Sequence, residues 1–77
     1  MDLWEFYECV ETLIRDLRSA GLEADSEEVE SAMRGGATSG EVLGRLAVAL
    51  PEVARQDPGL RDKADDLAAW ATAVLQG

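Results

Sequence analysis

The sequence predicts an all-α protein: a small antiparallel bundle of four helices, three longer and one short. Three observations predict it. Apolar residues recur every three or four positions along most of the chain, the period of a helix with one buried face. Acidic or hydroxyl residues stand just ahead of these runs, where helix N-caps belong. Nothing alternates with period two and there is no β-branched run, so no strand is expected.

The first helix is the clearest. Asp2 is a good N-cap, and Glu5 three residues on completes a capping box. Leu3, Phe6, Tyr7, Val10, Leu13, Ile14, Leu17 and Ala20 follow at helical spacing. Gly21 stands where a left-handed C-cap glycine belongs, with Leu22 to make its apolar contact. The second helix is short. Asp25 is expected to cap it, with Glu28 three residues later, and Arg34-Gly35-Gly36 to end it; Val29, Ala32 and Met33 give it a narrow apolar stripe.

Thr38 opens the third helix and Glu41 completes another capping box, ahead of an inner face of Val42, Leu43, Leu46, Ala49 and Leu50. Pro51 removes a backbone donor, yet Val53 continues the same stripe. The helix is therefore expected either to kink at Pro51 or to restart there. Asp57-Pro58 announces the fourth helix, an acidic cap with proline at the first helical position. Leu60, Ala64, Leu67, Ala71 and Val74 form its stripe. Short connections make neighbours antiparallel. The start of the first helix then meets the end of the fourth, and Trp4, Phe6, Tyr7 and Trp70 are all expected at one end of the bundle.

The 77 residues make a single domain, residues 1–77. A chain this short buries only about 60% of its unfolded surface. Cys9 is the sole cysteine, so no internal disulfide supports the fold, and there is no histidine. A partner or a second copy, as in a homodimer, is the remaining common support for so small a core. A lone thiol suits a reducing compartment. Met1 is followed by acids and aromatics rather than by a basic segment and an apolar run, so a cytoplasmic protein is expected. The longest clean apolar stretch, Leu46–Leu50, is far too short to span a bilayer. A single lysine, no asparagine and abundant alanine, arginine and glycine read as the coding bias of a GC-rich bacterial genome.

Charge is the strongest pointer to function. Residues 1–30 carry ten acids against Arg15 and Arg18, a net of −8 in a chain of −9. Such a field disfavours nucleic acid, whose phosphates need clustered cations, and favours a basic protein partner. Trp4 falls off the apolar stripe of the first helix at about 100° per residue, on the flank of Glu8, Glu11 and Arg15. There it is either an exposed interface anchor or a side chain folded back over the end of the fourth helix. Trp70 lies at the edge of its own stripe, in line with Lys63. The expected partner-binding set is Trp4, Glu8, Glu11, Glu23, Glu27, Glu28, Glu30 and Trp70.

Other chemistry finds little support. Glu23, Asp25 and Glu27 alternate as calcium ligands do, but no glycine follows and Asp25 is needed as a cap. Pairs such as Glu5/Glu8 and Glu27/Glu30 lack the histidine of a di-metal bundle. The glycine-rich stretch at residues 35–40 lacks the lysine and preceding strand of a phosphate loop and reads as a turn between caps. Cys9 has no histidine to activate it, sits near Glu5 and Glu8, and reads as a small half-buried apolar residue. Neither catalytic residues nor a cofactor or metal is expected.

Asp25-Ser26 at the start of the second helix, in an acidic bundle of this size, resembles the acyl and peptidyl carrier proteins. The resemblance implies a phosphopantetheine arm on Ser26 and basic partner enzymes. The chain departs from that family in having Glu27 where it has leucine, and only Gly21 to Ala24 in place of a long first loop. The leading expectation is a non-catalytic acidic interaction module, such as an immunity protein, an antitoxin-like inhibitor or a small adaptor. The alternatives are a carrier-like protein and a purely structural homo-oligomer.

Overall fold

A computed structural model describes all 77 residues. Four α-helices follow one another, α1 (Leu3–Ser19), α2 (Glu23–Arg34), α3 (Ser39–Gln56) and α4 (Arg61–Gln76), and there is no strand. The all-α bundle and its one short helix, α2, are as the periodicity predicts.

Local signals account for most helix ends. Asp2 is extended, and its Oδ1 accepts from the Glu5 N–H at 2.8 Å. Gly21 adopts φ +80°, the left-handed conformation that costs glycine least. The Gly21 N–H then donates to the Arg18 carbonyl and the Leu22 N–H to that of Leu17, closing a Schellman turn. Thr38 Oγ1 accepts from the Glu41 N–H at 3.2 Å, while the Glu41 carboxylate accepts from Ala37, one residue ahead of the cap.

α2 begins three residues earlier than expected, with Leu22 and not Asp25 at the cap position. The reversal at Gly21 lets helical bonding start at once, with the Ser26 N–H donating to the Leu22 carbonyl. Asp25 is therefore no cap; it is a buried residue inside the first turn, where a negative charge still suits the helix dipole. At the other end Gly35 keeps an ordinary φ of −83°. Its role is close approach: a Cβ there would stand 2.7 Å from the Arg45 guanidinium and 2.8 Å from the Ser31 carbonyl.

α3 runs through Pro51 without restarting. Leu46, Ala49 and Leu50 before the proline and Val53 and Ala54 after it are buried in one core, so packing on both sides holds the helical path across the missing hydrogen bond. Arg61 Nε closes the far end by donating to the Ala54 carbonyl at 3.0 Å. The fourth helix starts as a single 3₁₀ turn, Pro58–Leu60, before α4 proper. Asp57 flanks that turn, but its side chain caps nothing, and its Oδ2 is buried without a partner.

The core is one cluster of eighteen buried apolar residues from all four helices, with Phe6, Leu13, Leu17, Leu46 and Leu50 its largest fully buried members. α3 is the central element: it packs on α2 and, most extensively, on α4, whereas α1 touches α4 only sparsely. Two points tie α1 to α4. Phe6 stacks on Trp70 with ring centroids 4.7 Å apart, and Lys63 Nζ donates to Asp16 Oδ2 at 3.0 Å. The start of α1 thus lies beside the end of α4, as antiparallel connections require. Val74, predicted as core, is 45% exposed, so the apolar stripe of α4 runs one turn past the buried region. No helix is long and apolar enough to cross a membrane.

Candidate interaction surface

Of the ten acids in residues 1–30, Asp2, Glu5, Glu8, Glu11, Glu23, Glu27 and Glu28 are exposed and form no ion pair. The other three are engaged. Asp16 meets Lys63, Glu30 meets Arg18, and Asp25 is buried. Both cross-helix pairs lie at the surface, where such pairs contribute little to stability. No group of three or more Cys, Asp or Glu side chains is placed to hold a metal ion. Most of the anionic charge therefore faces solvent.

The expected partner-binding residues do not form one patch. Trp4 is 74% exposed and does not fold onto α4, so only Phe6, Tyr7 and Trp70 of the four aromatics cluster. The reason is length. At 1.5 Å per residue the 12-residue α2 falls about 8 Å short of the 17-residue α1. The first turn of α1 thus outruns the helix that would cover its flank. Trp70 is half-buried against Phe6 and belongs to the core edge. Glu8 and Glu11 stay with Trp4 on α1, while Glu23, Glu27 and Glu28 project from α2.

Between α1 and α2 runs a shallow groove that gathers Arg15, Arg18 and Arg34 with Glu11 and Glu30. Three cations there against two carboxylates separate the acids of α1 from those of α2. The sequence places Arg15 and Arg18 near the end of α1, but only the fold brings Arg34 to them.

A second groove, of about 440 Å³, lies between α1 and α4. Glu5, Cys9 and Thr12 face it from α1, and Asp66 and Leu67 from α4. Cys9 is exposed there, not half-buried. Glu5 and Asp66 were not among the expected partner-binding residues. Their signal was the pairing of α1 with α4, which sets the polar flank of one against that of the other.

Ser26 is fully buried, and its hydroxyl donates to the Glu23 carbonyl at 2.9 Å. A carrier serine must present that hydroxyl to a transferase, so the position implied by the carrier-protein resemblance is closed. Residues 35–40 likewise make no open cradle: a Cβ on Gly36 would meet the Val42 side chain and backbone at 2.8 Å. No family model, curated protein or solved structure matches this chain.

Proposed function

We propose that this chain is a non-catalytic acidic interaction module of the bacterial cytoplasm, an inhibitor of the immunity or antitoxin kind or a small adaptor, whose partner is a basic protein. The observation that carries the reading is the set of seven exposed, unpaired carboxylates in residues 1–30, of which Glu5, Glu8 and Glu11 share α1 with a tryptophan that the fold leaves in solvent. An anionic face speeds encounter with a cationic target, and an exposed tryptophan supplies the buried anchor such interfaces use. Absence of histidine, and a thiol flanked by carboxylates, support a role without chemistry.

Salt dependence tests it. Cationic proteins should be captured by the immobilised chain at about 50 mM salt and released at about 500 mM, where the Debye length falls below about 5 Å. Capture that ignores salt, or no capture, refutes the electrostatic basis. Light scattering of the free chain should give the monomer mass. A stable dimer that buries Trp4 would move the reading to a structural homo-oligomer.

A further inference from the structure

The α1–α4 groove lies between the two contacts that join these helices, and short side chains line the interval. Phe6 on Trp70 fixes one end and Asp16 with Lys63 the other. In the interval α1 offers Cys9 and Thr12, too small to close the gap against Leu67 of α4. Leu67 and Cys9 give the groove an apolar floor, and Met1, 57% exposed, extends it at the open end. Past Trp70, on the same flank of α4, Val74 carries apolar surface out of the core. The walls are acidic on both sides, Glu5 and Glu8 from α1 and Asp66 from α4, and none of the three has an ion-pair partner. Lys63, the one cationic side chain in the groove, is already held by Asp16.

We propose that this groove is the docking site for a cationic amphipathic helix of the partner protein. The inference rests on the reading of a basic partner and adds where that partner binds and in what form. From Glu5 to Thr12 the groove runs along about 10 Å of α1, two turns of an occupant lying in it, and Met1 extends it beyond the start of the helix. A helix with one apolar stripe would set that stripe on Leu67, Cys9 and Met1, and lysines or arginines on its flanks would reach carboxylates on either wall. An unordered basic tail would use the walls and leave the floor unfilled. A second copy is a poor occupant: a two-fold contact through this groove would bring Glu5, Glu8 and Asp66 against their own counterparts in a chain of net charge −9.

The probe is a fluorescein-labelled peptide of about 18 residues, five helical turns, with leucines at helical spacing and lysines on both flanks. Its controls are the same residues in scrambled order and a version with glutamate for lysine. Anisotropy should show saturable 1:1 binding of the patterned peptide, binding weaker by about tenfold or more for the scrambled one, and none for the acidic one. Saturating peptide should slow maleimide alkylation of Cys9, the only thiol, by about tenfold, as burial of an accessible sulfur does. Glu5→Lys with Asp66→Lys should weaken binding about tenfold, and Glu27→Lys with Glu28→Lys less than about threefold. All four positions are exposed, and far-UV circular dichroism verifies that each variant stays helical.

Equal binding of the scrambled peptide, an unprotected Cys9, or loss of binding in the α2 variant alone would overturn the groove and leave the basic-partner reading standing. Failure of the patterned peptide alongside salt-sensitive capture of cationic proteins would do the same. Failure of both would remove the two together.

Discussion

Replacing Phe6 with alanine should cost this small fold a large share of its stability. Phe6 is fully buried, is among the largest core side chains, and is the apolar tie between α1 and α4 through its stack on Trp70. Removing a buried phenylalanine costs about 3–5 kcal/mol, the lost transfer energy plus the cavity left behind. Collapse cannot easily heal this cavity, because α1 and α4 have little other contact. A domain of 77 residues has about 4–12 kcal/mol in all, at roughly 0.05–0.15 kcal/mol per residue. With a urea slope near 1 kcal/mol per molar, the midpoint should fall by about 3–5 M, or the variant should be unfolded without denaturant. Far-UV circular dichroism follows the helices, and fluorescence in a Trp4→Phe background isolates Trp70. A midpoint shift under about 1 M would refute the claim that this contact joins the two helices.

Trp4→Ala should move stability by no more than about 0.5 kcal/mol, since its side chain is mostly in solvent, while lowering affinity for a captured partner; a large urea shift would contradict its exposure. Pro51→Ala should stabilise by about 1–2 kcal/mol, because the helix already runs through that position and alanine restores the missing donor against a small loss of chain stiffness. A lower melting temperature for that variant would show that the proline ring itself packs better than alanine can. Gly21→Ala should destabilise by about 1–2 kcal/mol, the cost of a side chain at positive φ, with nothing nearby for its methyl to contact. Incubation with coenzyme A and a phosphopantetheinyl transferase should leave the mass of the chain unchanged, since the Ser26 hydroxyl is buried and hydrogen-bonded; a modified Ser26 would require the start of α2 to open.

What the sequence determined by itself is what a single helical turn can encode. The Asp2 and Thr38 caps, the left-handed Gly21 and the inner faces of α1 and α3 depend on residues within three or four positions of one another, and the structure has them as read, save for Ala20, which is exposed at the C-cap of α1. The charge split is a property of composition and needed no fold. The tertiary structure decided everything that depends on a neighbour's length or reach. It drew α2 back over Asp25 and Ser26 and buried them, and kept α3 helical past the usual stop at Pro51 through packing on both sides. It left Trp4 in solvent because α2 ends too soon to cover it, and left Val74 outside because the core ends a turn before α4 does. It also opened the groove between α1 and α4, since whether two flanks of short side chains close on each other depends on where the two helices touch. Here they meet in an aromatic stack at one end and an ion pair at the other.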